Sequence, residues 1–234
     1  SWVAQSGKGG DMLWYAQMRS YIDPETHKGT RHNVISRLDV SSGLTATLLQ
    51  DWQYVIEQLM LYKGDIYFLS KNAEGLRDIW VMPQSGGIPK LYIKNDGKDM
   101  LMLGMEDGVM FVLSEDGGVF RADSGGGTVT VKRIITSEAA TGIFVYGGYI
   151  YYPVKKSDAP EYEYLPGRSE TDASGEQMEV AVAVNSHDYR RIPAEGGESE
   201  FVVSGVQATT GSLCADGFLY LPAWSFSYYG SSES

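Results

Sequence analysis

The chain has 234 residues, 43% of them hydrophobic, and a formal net charge of −11. That length suits one domain with a packed core. The acidic balance disfavours nucleic acid and anionic membrane surfaces as partners, and no 18-residue apolar stretch offers a membrane-spanning helix.

In chain order, the first strand-like run is Trp2–Gln5. A glycine-led apolar run follows it, Gly10-Asp11-Met12-Leu13-Trp14. Next comes Ile35-Ser36-Arg37-Leu38-Asp39, closed by Gly43, and then Thr45–Leu49. We label these four predicted strands a, b, c and d. The second unit repeats them as Val55–Leu61, Gly64–Phe68, Ile79–Pro83 closed by Gly86-Gly87, and Pro89–Ile93. The third has Met100–Met105, Gly108–Val112, Val119–Asp123 and Thr128–Ile134. The fourth has Gly142–Tyr146, Gly148–Tyr152, Tyr189–Pro193 closed by Gly196-Gly197, and Ser199–Val203. The fifth has only Leu213–Ala215 and Gly217–Leu221.

The runs are rich in β-branched and aromatic residues, as strands are. Lys63-Gly64, Asp107-Gly108, Gly147-Gly148 and Asp216-Gly217 between a and b are hairpin signals. Asp or Pro at the end of c, with Gly four residues on, brackets a second tight turn. Four antiparallel strands repeated in step form the blade of a β-propeller. The opening glycines are spaced by 54, 44, 40 and 69 residues. The bare blade is therefore about 40–44 residues, and the first and fourth units carry insertions in their b–c connections, over 15–33 and 153–188.

The expectation is all-β: a single propeller domain over 1–234, with blades at about 1–50, 51–97, 98–136 and 137–205 and a partial blade at 206–234. Four blades are complete and one is half present. The pattern opens at a strand a, with no leader-like segment before it, and stops after a strand b. It reads as part of a larger ring, typically of about 6–7 blades. An incomplete ring exposes blade edges that can pair with another chain.

The run Gly64-Asp65-Ile66-Tyr67-Phe68 and the segment Tyr189-Arg190-Arg191-Ile192-Pro193-Ala194-Glu195-Gly196-Gly197 resemble a bacterial propeller family of unknown function. Its repeats are similar to the YWTD propellers of low-density lipoprotein receptors. The resemblance extends from Gly10 to Leu221. Val81 departs from it, standing where Arg37, Arg121 and Arg191 stand in the other units. It implies an extracytoplasmic or cell-surface sensing or binding role in anaerobic, spore-forming bacteria, and it supplies no catalytic residues.

In such a blade the a–b and c–d turns lie on one side, and the b–c and d–a connections on the other. Both insertions fall on the second side. Loops on a rigid scaffold concentrate binding residues, so that side is the expected ligand face. The fourth insertion holds Tyr162 and Tyr164 between Glu161 and Glu163, and Met178–Val184 suggests a projecting hairpin. Tyr21 lies in the first insertion; Trp224, Phe226 and Tyr228 follow the last predicted strand. These six aromatics are the candidate ligand-binding residues, suited to a sugar or a protein or peptide partner. The competing reading, and the weightier one from sequence alone, is that they pack the insertions onto the ring.

The expected function is a non-catalytic binding module. A glycan-active hydrolase or lyase is the alternative, with Asp23, Glu25, Glu161 and Glu163 as the grouped carboxylates. A structural spacer within a longer surface protein is the third reading. No catalytic residue, metal or cofactor is expected. Ser6-Gly7-Lys8-Gly9-Gly10 lacks phosphate-loop spacing, and His27, His32 and His187 read as solvated loop histidines rather than zinc ligands. Cys214 reads as a small buried hydrophobe. Arg37, Arg121 and Arg191 read as ties to a neighbouring blade.

Overall fold

The structure is a computed structural model. It describes residues 2–5, 11–22, 24–51, 53–125, 128–136, 138–157, 162–171, 175, 177–183, 187–206, 213–215 and 218–220. Every regular element among them is a strand, and the strands fall into two compact units, 1–136 and 137–234.

The first unit holds three antiparallel sheets. The first sheet is β1 (Trp2–Gln5), β2 (Met12–Ile22), β3 (Gly29–Asp39) and β4 (Thr45–Asp51), paired in chain order. The second is β5 (Ile56–Tyr62), β6 (Asp65–Lys71), β7 (Arg77–Pro83) and β8 (Lys90–Ile93). The third is β9 (Met100–Glu106), β10 (Val109–Ser114), β11 (Val119–Gly125) and β12 (Thr128–Ile135). Strand β5 lies against β1 and β2, and β9 lies against β5. The first strands of successive sheets are thus neighbours, as in propeller blades.

The second unit repeats the blade as β13 (Phe144–Tyr146), β14 (Tyr149–Lys155), β17 (His187–Pro193) and β18 (Glu200–Val206). Between β14 and β17 the chain makes a separate hairpin, β15 (Tyr162–Thr171) with β16 (Gln177–Ala183), where the sequence predicts one. A two-stranded piece, β19 (Leu213–Ala215) with β20 (Phe218–Tyr220), follows.

Local chemistry explains the turns. Lys63 and Gly64 have φ of 44° and 89°, and Asp107 and Gly108 have 48° and 87°. Two consecutive positive φ values make the hairpin turn whose twist matches the flanking strands. After strand c, Gly87 and Gly197 sit at φ of 139° and 135°, where a side chain is strained. The repeat also has a hidden feature. The ladder between the third and fourth strands slips after Ile35, Ile79, Val119 and Tyr189, the same repeat position in all four blades. A bulge there bends and twists the outer strand.

Packing is two-sided. Trp14, Ala16 and Ile35 of the first sheet meet Leu59, Ile66, Phe68 and Met82 of the second. The other face of the second sheet, with Leu69 and Ile79, meets Leu103, Met110, Val112 and Ala122 of the third. Tyr54 closes the first seam with edge-on rings 5.7 Å from Phe68 and 5.0 Å from Trp80. Polar ties supplement the seams. The Gln58 amide donates to the Leu103 carbonyl at 3.2 Å and accepts from the Leu103 amide at 2.9 Å, linking β5 to β9.

Two expectations are corrected. The segment 15–33 is mostly strand rather than an inserted loop. Strands β2 and β3 stay paired out to Ile22 and Gly29, so the extra residues form a two-stranded ribbon. Pairing within the hairpin satisfies alternate backbone groups of each strand and leaves the others to water, so the ribbon runs past β1 and β4 without a third strand.

The expectation for Arg191 also differs. Arg191 pairs with Glu200 at 2.7 Å and stacks 4.5 Å above Tyr149, and Arg121 pairs with Asp123 at 2.9 Å. These partners lie in the arginine's own blade. Removing a fully buried aromatic tests the seams: Phe68→Ala should cost about 3–5 kcal/mol in urea unfolding, with the largest exchange losses in β2, β5 and β6.

Candidate binding face

Backbone hydrogen bonds sort the connections onto two sides. After strand c, the Val40, Gln84 and Ala194 amides donate to the Asp11, Gly64 and Gly148 carbonyls at 2.5, 2.8 and 2.9 Å. Strand b begins beside each of these acceptors. The a–b and c–d turns therefore share one edge of each blade. The b–c and d–a connections occupy the other, where the Glu115 amide donates to the Asp99 carbonyl at 2.9 Å.

That second edge carries the charged chemistry of the first unit. Arg77, at the start of β7, pairs through its guanidinium with both Glu57 of β5 and Asp99 ahead of β9. Its backbone amide also donates to Asp99 at 2.8 Å. Lys71 lies 3.2 Å from the other Glu57 oxygen. Burial alone would depress the Arg77 pKa; its bonds to Glu57 and Asp99 outweigh this and raise it. Beneath this group the buried Asp78 accepts from the Asn95 side chain at 2.6 Å and from Asn72 at 3.2 Å. Next to it, Asp116 accepts from Lys98 at 2.6 Å and from Arg133 at 3.2 Å. The Lys98 contact, with the Gly118 amide, holds the Asp116 carboxyl well below the usual carboxylate range. These carboxylates are all engaged by cations or amides, which suits a structural role better than proton transfer.

Two clefts open along the same edge. One, of about 220 Å³, lies between the first and second blades and is lined by Ala16, Gln17, Met18, Asn33, Val55, Ile56 and Glu57. The other, of about 110 Å³, lies between the second and third blades, with Met100, Val112, Phe120 and Val131 as its apolar walls and Lys94 and Lys98 among its polar residues.

The expected site residues distribute differently. Tyr21 is placed by its backbone near the end of β2, opposite Thr30. Tyr162 and Tyr164 are placed likewise in β15, opposite Ala183 and Ala181. Trp224, Phe226 and Tyr228 lie outside the described residues. Among the grouped carboxylates, Glu25 is exposed, Glu163 is placed only by its backbone, and Asp23 and Glu161 lie outside the described residues. Cys214 is placed in β19 by its backbone.

His187 is a correction. It is 7% exposed at the start of β17, not a solvated loop histidine. Burial, with help from Lys155 and against the pull of Asp188, lowers its pKa below 6.5.

Asn33, Arg77 and His187 stand at one repeat position, two residues before the shared bulge. The repeat motif as read from the sequence begins at the bulge, so Asn33 and Arg77 carry no mark in it. Extending the repeat two residues upstream was the available signal.

No family model matches the chain, and no curated protein does. Solved structures resemble it at low identity. An oligogalacturonate lyase in complex with manganese aligns at 11% identity over 88% of this chain and 53% of its own, with a TM-score of 0.53. A puromycin-hydrolyzing peptidase of Mycobacterium tuberculosis aligns at 11% over 82% and 36%, with 0.51. A chain of a nidogen/laminin complex aligns at 12% over 82% and 62%, with 0.49. This chain spans between about a third and two-thirds of those lengths. The likeness is one of fold, and the fold is an all-β propeller of four-stranded antiparallel blades.

Two outcomes test the electrostatics. Arg77→Met strands Glu57 beside Asp99 and should cost roughly 1–3 kcal/mol in urea unfolding. A double-mutant cycle with Glu57→Gln should show a coupling of about 0.5 kcal/mol or more. For His187, the unfolded chain binds the proton more tightly than the folded one. Stability is therefore full above about pH 6.5 and falls as pH drops through that value toward the lower folded pKa. NMR titration should place the His187 midpoint below 6.5, and His187→Asn should flatten this part of the stability profile.

Proposed function

We propose that the protein is a non-catalytic binding module whose b–c side takes a glycan or a protein or peptide partner. One observation carries this reading. In two blades the b–c connection grows into a two-stranded projection, the β2–β3 ribbon and the β15–β16 hairpin. The second and third blades close the same connection in a few residues, at 72–76 and 115–118. Ribbons rooted in a packed sheet can present side chains at little ordering cost on binding. Tyr21, Tyr162 and Tyr164 lie on these projections, which supports their assignment as ligand contacts.

The in-step repeat running through both units supports a single propeller domain. The resemblance to surface-associated bacterial propellers supports an extracytoplasmic location. No helix among the described residues is long and apolar enough to cross a membrane.

The test is a pair of trimmed proteins, one with 20–31 replaced by Asn-Gly and one with 158–184 replaced by a short Gly-Ser turn. Each is screened with the parent on a glycan array and a displayed peptide library. The reading expects a ligand that the parent binds and at least one trimmed protein binds about tenfold more weakly or worse, with unfolding midpoints close to the parent's. Equal binding by all three proteins overturns it.

A further inference from the structure

The cleft between the first two blades differs from its counterpart one blade on, and the difference has a chemical meaning. Val55 and Asp99 hold the same repeat position, because Ile56 pairs with Ser70 as Met100 pairs with Ser114. Asn33 and Arg77 likewise correspond, two residues before the bulge. Between the second and third blades Arg77 and Asp99 fill the space with an ion pair. Between the first and second the same positions carry Asn33 and Val55, both shorter or apolar, and the space is the 220 Å³ cleft.

Asn33 is 8% exposed and lines this cleft. It shares a strand face with Ile35, which packs on the second sheet. Among the described residues nothing hydrogen-bonds its side-chain amide. The buried side-chain atoms without a partner among the described residues are Ser36 Oγ and Ser114 Oγ, so the Asn33 amide stays open to solvent in the cleft, where a ligand hydroxyl can take the place of water. Glu57 forms part of the opposite wall, and its charge is already met by Lys71 and Arg77. The cleft thus offers a donor and acceptor from Asn33 and an acceptor from Glu57, with no unbalanced charge in that group. Met18, 54% exposed, and Val55, 39% exposed, add apolar surface at its rim.

We propose that this cleft binds one neutral, hydroxyl-bearing six-membered ring, a single sugar residue of a glycan. A dry cavity of about 150 Å³ accommodates benzene, so 220 Å³ accommodates a ring of that size with its substituents. The hydroxyls meet Asn33 and Glu57; the C–H face meets Met18 and Val55. Amide and carboxylate groups that take no net charge select a neutral polyol over a cationic peptide side chain. The proposal rests on the b–c side being the ligand face, and it names the part of that side that recognises the ligand.

The experiment uses two variants of the whole chain. Asn33→Leu removes the amide while keeping the bulk. The double variant Asn33→Arg with Val55→Asp copies the ion pair found one blade on, and so fills the cleft with a solution this fold already uses. Both are assayed with the parent on an array of neutral oligosaccharides and on a peptide library. The best-bound oligosaccharide is then titrated by calorimetry and by amide exchange.

The expected result is binding of a neutral oligosaccharide by the parent, with protection at 16–18, 33 and 55–57. Asn33→Leu should weaken it at least about tenfold and the double variant should abolish it, both with unfolding midpoints at or above the parent's. Glycan binding that neither variant alters overturns the cleft assignment. If the ribbon-trimmed proteins lose that same binding, the ligand face itself still stands. Binding of peptides alone overturns the sugar assignment, and no binding on either array overturns the cleft and the face together.

Discussion

The first unit of this protein depends on a second blade and a third blade whose sheets are buried at both faces. In β10 the run Met110, Phe111, Val112 and Leu113 is buried without alternation, and in β6 Phe68 and Leu69 face opposite ways with almost no exposure. A sheet that is apolar on both sides cannot stand alone in water. It must be covered twice, and for the second blade the cover is supplied by the first and third sheets. The second blade shows this completely, since one face meets Trp14 and Ile35 and the other meets Leu103 and Met110. The Gln58 bridge between β5 and β9 is a polar consequence of the same constraint, because it joins two inner strands held side by side by that packing.

This constraint confines variation to the edges. Substituting Ile66 or Met110 would open a seam shared by two blades, whereas lengthening a b–c connection disturbs none. The β2–β3 ribbon and the β15–β16 hairpin leave the blades at that edge, and the Glu57–Arg77–Asp99 group and the clefts of about 220 and 110 Å³ lie there. The edge is also where adjacent blades meet through polar side chains rather than apolar ones. Small changes of side chain at one repeat position, from Arg77 to Asn33, therefore switch a seam from filled to open without disturbing the sheet.

The repeat was readable because its parts are local. Gly64, Gly108 and Gly148 mark positive-φ turns whatever surrounds them, and Ile66-Tyr67-Phe68 reads as a strand from composition alone. The hairpin at 162–183 was legible for the same reason, with strand-like runs on both sides of a polar stretch. The ribbon of the first blade was not. Arg19, Ser20, Arg31 and His32 carry no apolar alternation, and their strand geometry follows from continued pairing across 17–22 and 29–34. The environment of His187 was hidden too, because a histidine two residues before an apolar run looks like loop until the sheet that covers it is in place.

The chain by itself determined that it is built of four-stranded units in step, with sharp glycine turns on one edge and two enlarged connections on the other. Turn chemistry and strand composition act over a few residues, so no partner segment is needed to read them. Which polar residues lie buried, which carboxylates are neutralised and where a cleft remains depended on side chains brought together from separate blades. Val55 and Asn33 lie 22 residues apart in the chain, and Arg77 and Asp99 likewise. Only the packing of one sheet against the next shows that the second pair closes a gap that the first pair leaves open.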